Sequence, residues 1–542
     1  MKLKTTFLLN IACLLSGFLL NAQYNFELVK DINAGTQSSN PVLYTVFMGK
    51  IYFTANNGFN GTETWVTDGT SDGTEMLKDI APGSANGVSS PYFTEYNDML
   101  YFSGRDHRGV ELWVTDGTLE GTEILRDIRP GSSGSLPSGF IEYDGKLYFT
   151  ADDGYFGSEL WSTDGTVEGT EMLKDINPGT SVSSPALFTV FNDQLIFVAE
   201  NDTYGRELWV TDGTADGTVL LKDINPGTGD SFISDFMEYN DMLFFSANNG
   251  GNGSELWVTD GTTAGTQLLK DINPGGDSNP NSFLVFNGEL YFRANDGSLG
   301  RELWKTDGTA AGTQLFMDIR PGALGSEPSH LTLFNNKIYF DAIVENYGRE
   351  LWATDGTVAG TQMIKDINPG VGYSHPFDYT LFGSKMFFSA QNGTNGQELW
   401  VTDGTATGTV KVSPSNPSYA PISLYTKFIV LDNALYFAAQ YVNQDKELWK
   451  LTDLTLSASE QTAINQTKIY PNPAKEVLNV KFPDNHVYDI GVYTSSGKLL
   501  ATYQKVRKDF QVPVAKFPEG LYFITLKDEK GNTVSLKFIK NN

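Results

Sequence analysis

The chain has 542 residues, 65 acidic side chains against 38 basic ones, a formal charge of −27 and a single cysteine. A surface that acidic repels phosphate backbones, which excludes nucleic acid as a partner. Cys13 falls in an N-terminal segment that reads as cleavable, so the rest has no thiol for disulfides, thiolate metal sites or a cysteine nucleophile.

That segment is residues 1–22. Lys2 and Lys4 precede an apolar run from Phe7 to Leu20, and Leu20-Asn21-Ala22 suits a signal peptidase. The run has the length of a signal h-region and is short for a membrane span. Lipidation at Cys13 is disfavoured, because more of the apolar run follows it. No later stretch is long enough to span a bilayer, so the expectation is an exported, soluble product.

From Trp65 onward the chain repeats itself. Nine copies of a pattern built on Glu-Leu-Trp-x-x-Asp-Gly-Thr use all nine tryptophans: Trp65, Trp113, Trp161, Trp209, Trp257, Trp304, Trp352, Trp400 and Trp449. Their spacing is 47 to 49 residues, which means one supersecondary unit copied and stacked. The unit from Ser184 to Gly227 reads as four strands: PALFTVF, QLIFVAE, RELWVTD and VLLKDI. Asn192-Asp193, a polar loop and a Gly-rich turn separate them. Strands without clean alternation are buried on both faces, as in a blade sandwiched between neighbours. Four strands per 40–50 residues predict an all-β fold, a β-propeller of about nine four-stranded blades over residues 24–453. Phe26–Ile32 is a fourth strand without its first three, and the unit ending at Asp453 lacks its fourth. The N-terminal strand is therefore expected to complete the last blade. An open arc, which needs polar capping repeats, is the alternative.

Glu207-Leu208-Trp209-Val210-Thr211-Asp212-Gly213-Thr214 and its relatives resemble the ELWxxDGT repeat of exported bacterial proteins, a family that implies no settled activity. Segments such as LWVTDGTADGTVLLKDI are more weakly similar to TolB-type propellers.

The recurring side chains read as structural. If the hairpin is centred between Thr118 and Leu119, Glu111 faces Arg126, Glu63 faces Lys78 and Glu207 faces Lys222. Such cross-strand ion pairs contribute about 0.2–1 kcal/mol each. Met317 denies Glu302 this partner. The tryptophans are expected in inter-blade layers, each with an N–H needing one acceptor. Asp-Gly-Thr suits a tight turn, with a ring of calcium sites as the sharper reading. The fourth-strand aspartates (Asp31, Asp79, Asp127, Asp175, Asp223, Asp271, Asp318 and Asp366) are expected to accept N–H bonds from the adjoining turn. No cofactor is assigned.

His107, His330, His375 and His486 occupy different contexts and cannot form a repeated metal shell, and no nucleophile elbow, HExxH helix or phosphate loop appears. Carboxylate pairs at glycosidase spacing must arise by chance in so acidic a chain. A carbohydrate-active enzyme is therefore the alternative, and a non-catalytic binding or scaffold protein the first reading. The loops between strands two and three vary most, bringing Phe59, His107, Arg108, Tyr155, Phe156, Tyr204 and Tyr347 to one rim. These are the candidate contacts for an extracellular glycan or protein.

After a polar linker, residues 454–467, the composition changes. Residues 468–540 carry 12 basic against 7 acidic side chains; removing these and the two signal lysines leaves 24 against 58 for the array. Alternation in VLNVKF and GLYFITL, with turns at Gly497 and Gly531, reads as a small Ig-like antiparallel sandwich over 468–542. KIYPNPAKEVLNVKF, DIGVYTSSGKLL and GLYFITLKDEKGNTVSLKFIK resemble the type A C-terminal sorting domain of the type IX secretion system. Ser495 and Ser496 depart from the acidic residue common there. The resemblance implies a Bacteroidota-type source, Sec export, recognition by the type IX machinery, usual removal of this domain and display outside the outer membrane. Mass spectrometry of medium and outer membrane should find a product starting near Gln23 and ending before Lys468; full-length protein held in the cytoplasm refutes this.

Overall fold

The computed structural model describes residues 24–35, 37–88, 93–394, 396–412, 422, 427–440, 445–453, 467–482, 487–494, 499–507, 510–518, 520–528 and 533–541. The signal segment, nearly all of the linker, His486 and the turns at Gly497 and Gly531 lie outside them. The chain divides into two compact bodies. One comprises Phe26–Thr380 with Phe387–Leu451; the other comprises Thr452–Asn542 with Leu381–Met386 and the chain up to Asn25.

The repeats form nine four-stranded sheets, propeller-like blades in which consecutive strands are neighbours. In the fourth unit the strands are Ala186–Phe191, Gln194–Asn201, Gly205–Thr211 and Val219–Lys222, antiparallel throughout. Asn192 and Asp193 both take positive φ (49° and 56°), the backbone of a type I′ hairpin turn, whose twist matches that of the strands it joins. The ninth sheet runs in the order Tyr24–Lys30, Glu447–Asp453, Ala434–Ala439, Ile429–Leu431, so the N-terminal strand is its fourth. The outermost copies of the motif are imperfect: the first has Thr64 for leucine, and the ninth reaches its aspartate one place late, at Asp453.

Second strands are the most deeply buried, with Leu195, Ile196, Phe197 and Ala199 fully inaccessible. The tryptophans lie between sheets, as expected: Trp257 shares a core with Leu208, Val210 and Leu221 of the preceding unit. Their N–H groups fare differently from expectation. Trp65 and Trp400 donate to Ala55 O and Ala390 O at 3.1 Å, whereas the indoles of Trp113, Trp161, Trp209, Trp257, Trp304 and Trp352 have no acceptor among the described residues.

The expected glutamate–base ion pairs do not form. The ladder starts in the anticipated register, Trp113 opposite Ile124, but a bulge then shifts it so that Leu112 faces Arg126. A bulge adds one residue to one strand, so every later pairing slips by one. Glu111, fully buried, instead accepts bonds from Ile128 N (2.9 Å), Ser135 N (2.9 Å) and Ser135 Oγ (2.6 Å) in the link to the next unit. Glu302 does the same with Ile319 and Ser326, so Met317 costs it nothing. The freed bases reach the next sheet: Lys78 Nζ donates to Leu119 O and Thr122 O, Arg126 Nη1 to Val167 O and Thr170 O. One motif glutamate does pair with a lysine, Glu398 with Lys411 at 2.8 Å, in the eighth unit, where the ladder places Lys411 opposite Trp400 without the bulge.

The ninth-to-first junction is built from these same contacts. Glu447 accepts from Ile32 N and from Ser39 N and Oγ; Lys30 Nζ donates to Ser71 O and Thr74 O; Ile429, Leu431 and Leu448 share a core with Ile51 and Phe53.

In the second body Lys468–Tyr470, Val477–Lys481 and Phe510–Pro513 form one sheet. Leu499–Val506, Tyr488–Thr494, Gly520–Asp528 and Thr533–Lys540 form the other. Leu478, Val480 and Val512 of one meet Ile490, Val492, Ile524 and Phe538 of the other in a single core, a two-sheet sandwich.

Burial pushes the carboxyls of Glu63, Glu159, Glu207 and Glu350 up to about 7 from an ordinary 4.5, outweighing the hydrogen bonds that favour the ionised form. A group that holds its proton more tightly when folded stabilises the fold fully below its unfolded value, and this contribution fades as pH rises through the folded one. The unfolding midpoint should therefore fall between mildly acidic and mildly alkaline buffer, and Glu159→Gln should flatten part of the slope. A midpoint that rises over this range refutes the assignment.

Candidate functional site

The Asp-Gly-Thr turns are occupied by their own bonding. Asp68 Oδ1 accepts from Thr70 N (2.9 Å) and Thr70 Oγ1 (2.7 Å), which hold the carboxyl below its usual range, and Gly69 supplies the positive φ of 87°. The fourth-strand aspartates differ from expectation. Asp79 and Asp271 accept from the side chains of Asn60 and Asn252, and among the described residues only Asp175 takes a turn N–H, from Gly179 at 3.4 Å. Oδ1 of Asp79, Asp127, Asp175, Asp223, Asp271, Asp318 and Asp366 is buried without a partner.

The rim residues sit on the loops between strands two and three, which pack on the links between units: Asn60 reaches Asp79, and Asp152 pairs with Arg129. Phe59 and Tyr155 stand 82% and 74% exposed, and Phe156, Tyr204 and Tyr347 are also exposed. His107 is open to solvent, while Arg108 is tied to Asp106 at 2.6 Å. Among the described residues no ring contact joins any of the seven to another, and they stand as separate projections.

What converges lies elsewhere, at three positions per unit. The first follows the serine that binds the buried glutamate. Asn40, Leu136, Ser184, Phe232, Asn279, Glu327 and His375 all hold it, every one with φ between 42° and 54°. Left-handed backbone is uncommon outside glycine, and here it is imposed on residue types that share nothing. The second is a bulge in the first strand, where Gly139, Leu187, Asp235, Ser282, His330 and Asp378 also have positive φ. The third is the second-strand residue opposite the motif leucine: Ser103, Thr150, Val198, Ser246, then Arg293 and Asp341. First strands of successive sheets lie beside one another, so these positions form one variable strip.

In units six to eight the strip is charged. Asp341, 1% exposed, accepts from Ser329 Oγ (3.1 Å), from Arg349 Nη1 and faces His330 Nδ1 at 2.7 Å. Arg349 also donates to Glu327 O at 3.1 Å, while Glu327 lies 3.6 Å from Arg293 and 3.5 Å from Arg301. Burial raises Asp378 to about 6, against the opposing pull of His330. Burial, then Arg349, lowers His375. Beside Arg293, between units five and six, a pocket of about 340 Å³ is lined by Phe232, Ser234, Ser246, Asn248, Asp277 and Asn281. Asn281 is Arg293's ladder partner, and Phe232 is 65% exposed. Hydroxyls, amides and one open ring are groups that hydrogen-bond and stack on a polar ligand.

Sequence reasoning passed over this site because it looked to the loops between strands two and three, not to single positions beside and within the strands. The available signal was the register just after the fixed serine, where residue type changes in every unit.

Residues 468–541 match the family described as the secretion system C-terminal sorting domain. The chain therefore carries the type IX export address, and its destination is the cell surface or medium. Among the described residues no helix is long and apolar enough to cross a membrane. No curated protein matches the chain. Among solved structures it is similar to PorZ, an essential bacterial surface component of the type IX secretion system of Porphyromonas gingivalis (11% identity, TM-score 0.34, 95% of this chain and 76% of that). It is also similar to a prolyl endopeptidase (12%, 0.39, 78% and 56%) and a Mycobacterium tuberculosis puromycin-hydrolysing peptidase (13%, 0.36, 67% and 60%). Superposition scores this low carry no inference about activity or partners.

Removing one member of a buried ion pair strands the other, a cost of about 3–5 kcal/mol. Asp341→Ala should destabilise by that order in chemical denaturation. Asp341→Ser with Arg349→Ser, the serine types that unit five carries at Ser246 and Ser254, should cost clearly less. Equal losses would mean that the pair is not coupled.

Proposed function

We propose that the mature chain is a surface-displayed, non-catalytic binding protein: nine blades closed into a ring, with the variable strip around its axis. The ligand class is an extracellular glycan, taken at the pocket between units five and six and along the charged strip of units six to eight. The observation that carries this reading is the pocket itself, walled by Ser234, Ser246, Asn248 and Asn281 with the open Phe232 ring. A rigid repeat whose side chains vary along one strip is the arrangement of a scaffold presenting a site. The type IX address supports a role outside the cell. The sorting domain is the part that the secretion machinery would handle; the array is the part that acts.

Secreted protein should bind members of a glycan array without turnover. Phe232→Asn, the residue type of unit six at Asn279 and one that tolerates left-handed backbone, should weaken binding by roughly tenfold, as losing a stacking anchor of about 1.4 kcal/mol does. His330→Ser, as at Ser282, should also weaken it. Tyr155, Phe156 and Tyr204 replaced together by alanine should matter less. Loss only in the rim variant moves the site to the loops, and hydrolysis of a glycan overturns the non-catalytic reading.

A further inference from the structure

Each glutamate of the repeat is preceded by two residues by a glycine in eight units: Gly61, Gly109, Gly157, Gly205, Gly253, Gly300, Gly348 and Gly396. All eight have φ between 70° and 96°. A Cβ at Gly61, Gly253 or Gly348 would lie 2.0 to 2.2 Å from a backbone oxygen of the adjoining link, so the backbones themselves touch there. The ninth unit breaks this rule with Asp445, a carboxylate two residues before Glu447. Asp445 lacks the positive φ of its eight counterparts.

The consequence is local and electrostatic. Every ordinary unit places one buried glutamate near one fourth-strand aspartate. At the ninth unit the aspartate is Asp31, at the end of the N-terminal strand, and Asp445 adds a third acid. Ligand atoms of Asp31, Asp445 and Glu447 all lie within 4.8 Å of one another. Asp445 is 6% exposed and Glu447 2%. Asp445 forms no hydrogen bond and no ion pair among the described residues, and its buried side chain brings an unpartnered carboxylate to the cluster. Glu447 accepts three bonds, from Ile32 N (3.0 Å), Ser39 N (2.9 Å) and Ser39 Oγ (2.6 Å), which leaves it one of its roughly four acceptor sites. Lys30 is directed to the first unit's hairpin, and Lys450 to Gly69 O and Glu27.

We propose that Asp31, Asp445 and Glu447 bind a hard divalent cation, calcium in particular, that joins the N-terminal strand to the last repeat. The donors are all oxygen, with neither histidine nor cysteine, which selects hard cations over zinc or copper. Exposed Asp31 leaves an open side for water ligands, and calcium tolerates an irregular mixed shell better than magnesium does. Among the described residues the site occurs once in nine units, at the one sheet whose strands come from both ends of the array. An ion there adds a bond across the junction that the backbone does not make continuous.

The test uses the secreted protein and calcium chloride alone. Titration calorimetry after chelation should give one calcium per chain, with a dissociation constant on the order of 10⁻⁴–10⁻³ M, as for extracellular modules. Millimolar calcium should raise the melting midpoint by a few degrees over EGTA. Asp445→Gly, which restores the residue of the other eight units, should fold normally and lose both signals. Asp79→Asn, at an ordinary pair, should keep both. No binding in the parent protein, an unchanged response in Asp445→Gly, or the same shift from sodium chloride at matched ionic strength each overturns the proposal.

Discussion

A buried carboxylate that bonds backbone rather than a basic side chain holds the array together. In eight of nine units the glutamate accepts the N–H of the isoleucine two residues past the fourth strand, at 2.6 to 3.0 Å. In most it also takes up the serine 23 or 24 residues on, as with Ser183 and Ser278. That serine's carbonyl in turn accepts an N–H from the second strand of the next sheet, as Ser135 does from Asp152. One side chain thus satisfies the irregular link and fixes the next blade's position. Buried N–H groups left without such a partner cost about 1–3 kcal/mol each, which is why the link can be both irregular and buried.

The same lock accounts for where variation is tolerated. Because the serine is held on both sides, the residue after it is forced into left-handed backbone whatever its type: Leu136, Phe232, Glu327 and His375 all comply. Side chain identity there is free of structural duty, so nine similar units can present dissimilar chemistry. The departures are concentrated in units five to eight, which turns a pseudo-symmetric scaffold into an asymmetric surface.

The sorting domain obeys a different logic. It is basic where the array is acidic, and its alternating strands bury one face only, as Leu478 and Val480 do while Lys481 stays exposed. A two-sheet sandwich with its own core does not need the repeat for its packing.

Periodicity settled much from the residues alone. Unit length, four strands, the hairpin turns at Asn-Asp and the N-terminal strand's place in the last sheet follow from local pattern, because strand burial and turn chemistry act over a few residues. The export address was legible for the same reason, as contiguous motifs from Lys468 to Lys540. The tertiary structure decided what depends on register and on chain-distant neighbours. In the first seven units one bulge beside the motif tryptophan took the glutamates from their expected bases and gave them to backbone N–H groups 17 and 23 or 24 residues away. The meeting of Asp31 with Asp445, and of His330 with Asp341 and Arg349, likewise required strands to be paired and sheets to be stacked. No sequence spacing encodes these contacts, since a single extra residue in a strand reassigns every partner beyond it.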